Sequence, residues 1–265
     1  MSPLTLLQGS QMPALCLLSG ALGGIIGSFL GVVVERIPPL INEEQGAGNL
    51  LFPASHCPAC SHALSWWENI PVLSWCCLRG RCRCCQTAIP LRLLLLELSS
   101  ALFFALTAAY APSAAALISL WVLWCGLLPL ATIDAKHLLL PDCLTQPLLW
   151  AGLLNHAIFQ ALPLSDALYG AAAGYLSLWL IYWAFRLTTG REGLGYGDFK
   201  LLAALGAWCG WQALPSLLLA AALSGIALYF LFYKAVKENS VIPFGPMLSL
   251  AGLAIFMLQT LQFTF

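Results

Sequence analysis

The chain has 265 residues, of which 60% are hydrophobic and 8% charged, with formal net charge zero and mean hydropathy +0.86. Soluble globular domains carry about 25% charged residues, so a water-soluble fold is excluded and an all-α integral membrane protein is expected. Zero net charge gives no basis for a nucleic-acid partner. At about 20 residues per span, the chain holds several helices and no large soluble domain.

The start, Met1 to Gln11, lacks the basic region of a secretory signal and shows no small-x-small cleavage site, so the first span is expected to be retained. That span runs from about Pro13 to Val34 and carries Gly20, Gly23, Gly24, Gly27 and Gly31. Small residues at this spacing let helices approach closely in lipid, which makes a packing face the favoured reading. Residues 35–91 form the one long polar stretch and contain two cysteine motifs. Further spans are expected at about 92–110, 114–133, 143–161, 167–185, 198–211, 214–233 and 246–263, giving about eight. The expected domains are therefore a first transmembrane helix (1–34), a cytoplasmic zinc-knuckle segment (35–91) and a seven-helix membrane domain (92–265).

Charge distribution orients this arrangement. With eight spans and both termini periplasmic, all eleven basic residues fall at inner loops: Arg36, Arg79, Arg81, Arg83, Arg92, Lys136, Arg186, Arg191, Lys200, Lys234 and Lys237. Basic residues favour the cytoplasmic side, so the opposite orientation would break the rule throughout.

Cys57-Pro58-Ala59-Cys60 and Cys82-Arg83-Cys84-Cys85 are two C-x-x-C pairs about twenty residues apart. Such knuckles place four thiolates around one zinc ion, and the cytosol disfavours stable disulfides. A redox pair, or Cys84 replacing a neighbour, are the alternatives. Four protein thiolates leave no open position for water, so Cys57, Cys60, Cys82 and Cys85 would form a structural site that stabilises a segment with little core of its own. The other cysteines read as small hydrophobes, and His56 and His62 as exposed neighbours.

Two carboxylates stand at span ends. Asp134 closes the third span in Ile133-Asp134-Ala135-Lys136, and Asp198 opens the sixth after Gly193-Leu194-Gly195-Tyr196-Gly197. Ionisable groups at membrane depth are functional candidates, and the topology puts both at the cytoplasmic ends of their helices. Gly195 and Gly197 can take φ > 0 and let another backbone approach Asp198. The plain alternatives are a helix N-cap for Asp198 and a headgroup-facing helix end for Asp134. Asp142 reads as the N-cap of the fourth span, and Glu97 as facing the protein interior or snorkelling. Lys136 and Lys200 lie two residues beyond their aspartates, a spacing that points away from them on a helix; Lys200 could still bind lipid phosphate or tune the site. The glycine run has no βαβ unit around it, which argues against a nucleotide site.

These motifs, in this order, resemble those of the prepilin peptidases, the GxGD-type membrane aspartic proteases of type IV pilus and type II secretion systems (type IV prepilin leader peptidase/N-methyltransferases). The resemblance runs through Gly27-Ser28-Phe29-Leu30 with Arg36 and Pro38, the cysteine knuckles around Asn69-Ile70-Pro71-Val72-Leu73-Ser74-Trp75, and Arg79-Gly80-Arg81-Cys82. It continues through Ile133-Asp134, Leu140-Pro141-Asp142, Gly195-Tyr196-Gly197-Asp198 and Pro243-Phe244-Gly245-Pro246. It implies that Asp134 and Asp198 are the catalytic pair, supported by Gly195, Gly197 and Lys200, and that the four cysteines bind zinc. It also implies cleavage of the basic leader of a prepilin or pseudopilin just after a glycine. N-methylation of the new terminus would follow, with S-adenosylmethionine as donor, in a multi-pass protein of the bacterial inner membrane. Gly31, Glu35 and Leu93-Leu94 depart from the family pattern; these departures bear on methyl transfer and leave the protease residues untouched.

In the expected mechanism the two aspartates share one proton around a water, and their titration belongs to the pair. Substrate would enter laterally as a transmembrane helix; Glu35, Glu43, Glu44 and Glu68 either attract its leader or belong to a merely solvated loop. The rival of another class is a zinc-stabilised membrane transporter or assembly scaffold without peptidase activity, because aspartates near span ends also serve proton coupling.

Overall fold

Apolar runs have nowhere to satisfy backbone polar groups in lipid except within a helix, and helices dominate the computed structural model. It describes residues 12–42, 49–50, 52, 55–57, 59–191, 193, 195–231 and 243–262. The helices are α1 (Met12–Ile41), α2 (Leu73–Cys77), α3 (Leu91–Tyr110), α4 (Ala114–His137), α5 (Asp142–Phe159), α6 (Leu164–Thr189), α7 (Tyr196–Cys209), α8 (Leu214–Leu231) and α9 (Gly245–Gln262). Single 3₁₀ turns occupy Trp66–Asn69 and Trp211–Ala213. Among the described residues β structure is limited to two isolated bridges, His56↔Ala63 and Arg81↔Ala88.

All of these helices except the five-residue α2 coincide with the expected spans. Five segments are long and apolar enough to cross a membrane: Met12–Ile41, Leu91–Tyr110, Ala114–His137, Leu164–Thr189 and Trp211–Leu231. By contrast α7 has 14 residues and is about 21 Å long, shorter than a hydrocarbon core of about 30 Å. Met1 to Gln11, Glu43, Glu44, Pro58, Leu194, Lys234, Lys237 and the last residues of the seventh and eighth expected spans lie outside the described residues.

The chain divides into two compact units, Met1–Trp121 and Val122–Phe265, with the boundary inside α4. In the first unit α1 packs on α3 through its glycines. A Cβ at Gly27 would lie 2.8 Å from the Leu96 carbonyl oxygen, and one at Gly23 would lie 2.7 Å from Phe104 Cβ. The small-residue stripe is thus a packing face, while Leu17, Leu18, Ile25 and Phe29 on α1 stay exposed. Glu97 faces inward, as expected: its Oε2 accepts a hydrogen bond of 2.8 Å from the Val72 amide.

In the second unit α7 is the core. Phe199, Leu201, Leu202, Leu205 and Trp208 are almost wholly buried, because α5, α6 and α9 surround this helix. Trp208 fixes α7 to α5 twice, its Nε1–H donating to the Leu148 carbonyl and its carbonyl bonded to His156 Nε2, each at 2.9 Å. Gly170 of α6 and Gly206 of α7 meet backbone to backbone, with no room for a side chain on either. Gly206→Ala is therefore expected to destabilise the protein by about 1–3 kcal/mol through overpacking, measured as a lower unfolding midpoint in detergent. Gly225→Ala, whose Cβ would meet only Met247 Cγ at 3.7 Å, is the neutral control.

Candidate active site and metal centre

Asp134 lies in the last turn of α4, which ends where Leu138 takes φ +53. Asp198 is the third residue of α7, whose N-cap is Gly195. The N-cap reading of Asp198 is therefore corrected: the cap position is a glycine without a side-chain acceptor. Both carboxylates belong to the second unit and are buried, with 5% of Asp134 and 8% of Asp198 exposed. They are near enough for the charge of Asp134 to act on Asp198. Two residues 64 positions apart (198 − 134) are thus both buried in the second unit, with Asp198 within reach of the Asp134 charge.

Backbone groups face each carboxylate. The Gly245 amide, first residue of α9, donates to Asp134 Oδ2 at 2.9 Å. A Cβ at Gly195 would lie 3.5 Å from Asp198 Oδ2. Neither Gly195 nor Gly197 needs left-handed geometry, contrary to the expectation: Gly195 has φ −79, and the positive-φ glycines among the described residues are Gly80, Gly190 and Gly210. The reason for Gly197 is a close approach instead, since a Cβ there would lie 2.7 Å from Leu140 Cβ.

Asp142 is the first residue of α5, after the N-cap Pro141, which corrects the reading of Asp142 as the N-cap. Its two oxygens accept hydrogen bonds from Lys200 Nζ at 2.6 and 2.8 Å. This pair joins the start of α5 to the start of α7, two residues beyond Asp198.

A group the sequence did not single out braces the other side of the same turn. Arg186 donates to the Tyr182 hydroxyl at 2.9 Å, and the Tyr196 hydroxyl donates to that same oxygen at 3.2 Å. Tyr182 is 1% exposed, and its ring packs against Tyr196 and Phe199. The four-residue spacing of Tyr182 and Arg186 on one helix face is the signal that could have found them. Gly245 was visible only as part of a motif without a role.

In the first unit the four predicted cysteines converge. The Sγ atoms of Cys57, Cys60, Cys82 and Cys85 all lie within 4.8 Å of one another. Cys57–Cys85 and Cys60–Cys82 are 3.6 and 3.9 Å apart, far beyond a disulfide. A tetrahedron with zinc–sulfur bonds of about 2.3 Å has edges of about 3.8 Å, so the set fits zinc. Cys84 is exposed and outside the cluster, which removes it as a substitute ligand.

The two knuckles repeat one local design. Ser61 and Gln86, each following the second cysteine, take φ 56 and 58, and their amides donate to the carbonyls of Cys57 and Cys82. The amides of Ala59 and Cys60 lower the Cys57 thiol, and the Thr87 hydroxyl brings Cys85 down to about 6. Cys60, although the His62 amide faces it, is pushed up to about 12 by burial and the adjoining thiols; a bound dication would displace that proton.

Glu68 is not available to attract a substrate. It is 7% exposed and accepts the Ser65 amide at 2.7 Å in a capping box, which holds its carboxyl below the ordinary range. Glu35 is paired with Arg92 at 2.8 Å.

An all-helical membrane chain with a four-thiolate metal knuckle and a buried pair of aspartates at helix ends defines the class. Two family models match it: the bacterial peptidase A24 N-terminal domain over residues 21–111, and the type IV leader peptidase family over residues 121–230. A relative from Aeromonas salmonicida (strain A449) is 47% identical over 249 residues, covering 86% of this chain and 85% of its own. One from Pectobacterium carotovorum subsp. carotovorum is 47% identical over 249 residues, covering 88% and 89%. One from Stutzerimonas stutzeri is 42% identical over 270 residues, covering 95% and 93%. Each is named prepilin leader peptidase/N-methyltransferase. No solved structure matches. The chain belongs to the type IV leader peptidase family.

Proposed function

We propose that the protein cleaves the basic leader of a type IV prepilin or a type II secretion pseudopilin at the cytoplasmic face of the bacterial inner membrane, with Asp134 and Asp198 as the catalytic dyad. The observation that carries this reading is the burial of both carboxylates within electrostatic reach of one another, in a chain of the leader peptidase family. One carboxylate takes a proton from a water as that water attacks the scissile carbonyl. The other donates a hydrogen bond to the carbonyl oxygen, and the two exchange roles as the amine leaves. The family match weighs against a transporter or scaffold, which would leave this pairing unexplained.

The reading extends to eight spans with periplasmic termini, to the division at residues 34 and 91, and to zinc as the ion in the cysteine cluster. The names of the relatives support a second step, N-methylation of the new terminus with S-adenosylmethionine. No cluster among the described residues identifies where that donor would sit. Incubating the purified protein with a prepilin, with and without S-adenosylmethionine, tests both steps. The product mass and terminal sequence should show cleavage after glycine and a gain of one methyl group; an intact substrate would overturn the reading.

Gly195, Gly197 and Lys200 are supports of the dyad in this proposal. Lys200 acts through Asp142, an exposed pair with side chains 32% and 62% accessible, and such pairs contribute about 1 kcal/mol or less. Lys200→Ala is therefore expected to lower kcat/KM for leader cleavage by no more than about fivefold. A loss of a thousandfold would move Lys200 into the chemistry.

A further inference from the structure

Pro243-Phe244-Gly245-Pro246 is a motif that the dyad and the metal centre leave without a role. We propose that Gly245 is the positioning residue for Asp134, its backbone amide and its lack of a side chain together fixing where the Asp134 carboxylate sits. The inference rests on the dyad reading above.

Three observations carry it. The Gly245 amide donates to Asp134 Oδ2 at 2.9 Å across a separation of 111 residues, and the bond is buried. A Cβ at Gly245 would lie 2.7 Å from Oδ2, 3.0 Å from Cγ and 3.2 Å from Cβ of Asp134. Every side chain therefore competes with the carboxylate for the same volume. Gly245 also opens α9, and the first amides of a helix have no intrahelical acceptor, so this donor is free to serve a side chain. Its two flanking prolines lack an N–H, which leaves Gly245 and Phe244 as the motif's amide donors. An amide aimed at one carboxylate oxygen leaves Oδ1 for the water and the proton exchanged with Asp198. The titratable group on which the Asp134 charge acts is Asp198, on α7.

Displacing a reacting group by about 1 Å costs about a hundredfold in rate, and losing a hydrogen bond to a charged acceptor costs about tenfold or more. The test uses the full chain in detergent with a prepilin substrate. Gly245→Ala should lower kcat about a hundredfold with KM within twofold, because substrate binding does not use this contact. Placing glycolic acid at position 245 by nonsense suppression removes the N–H and adds no bulk. It should lower kcat about tenfold, again with KM unchanged, and it carries the test if Gly245→Ala fails to fold. Gly225→Ala is the control expected to match the parent. If the ester variant keeps kcat within twofold while Asp134→Asn is inactive, the positioning role is overturned and the dyad stands. An active Asp134→Asn would instead overturn the dyad, and this inference with it.

Discussion

Asp134→Asn and Asp198→Asn are each expected to abolish leader cleavage, lowering kcat/KM by about ten-thousandfold or more, the scale seen when one member of a cooperating catalytic set is removed. Asparagine keeps the shape of the side chain but can neither take up nor release the proton that the attacking water must lose. Each replacement should therefore leave the protein inserted and folded. At position 134 the amide oxygen can still accept from Gly245, now at 2.9 Å from the native carboxylate. At position 198 a neutral side chain removes the repulsion between two buried acids, so the folded state should be as stable as the parent or more so. The measurement is cleavage of a prepilin by purified variants, with thermal unfolding in detergent alongside. Because the residues act as a unit, the double variant should be no worse than either single one. An additive loss would mean that the two carboxylates work separately.

Removing the metal has the second largest expected effect. The four thiols are 3.6 and 3.9 Å apart in their closest pairs, so an ion at their centre meets sulfur at ordinary zinc–sulfur distances. Structural zinc sites bind with roughly 10–16 kcal/mol, so each of four thiolates accounts for about 3 kcal/mol, or about a hundredfold in affinity. Elemental analysis should find one zinc per chain. Cys57→Ser or Cys82→Ser should weaken metal retention about a hundredfold and open the segment around residues 55–89 to proteolysis. Cys84→Ser should change neither, because that thiol lies outside the cluster. Loss of metal on Cys84→Ser would mean that the ligand set is wrong.

How these sites were read differs between them. The cysteine centre was legible almost entirely in the sequence, because a C-x-x-C knuckle is local: the turn after each second cysteine sets two thiols by itself. What the chain alone could not say was whether Cys84 or Cys85 turned inward. The repeated turn decides it, with Gln86 at φ 58 in the place that Ser61 holds in the first knuckle.

Helix positions were likewise set by composition, since long apolar runs in lipid have little choice but to be helical. Their ends were less legible. α6 extends to Thr189 and α1 to Ile41, because polar and basic residues continue a helix beyond the hydrophobic stretch without breaking its backbone bonding. The sixth expected span, 198–211, was already too short to cross a bilayer by itself, and α7 keeps that length of 14 residues.

Glycines and carboxylates were read correctly as special but for partly mistaken reasons. Gly197 is present because Leu140 of another segment presses on it, and Glu68 is held as a cap rather than offered to substrate. Partners of this kind come from elements far away in the chain, and no local pattern reports them.

The sequence by itself determined the solvent, the helices, the four cysteines that cluster and the identity of two acidic candidates, because each depends on composition or on neighbours within a few residues. Only the tertiary structure decided that Asp134 meets the amide of Gly245, that Lys200 pairs with Asp142 and that Tyr182 links Arg186 to Tyr196. Those contacts join residues on different helices, and which faces meet is set by backbone approach at positions such as Gly170 and Gly206. Close packing of that sort depends on the shape of both surfaces at once.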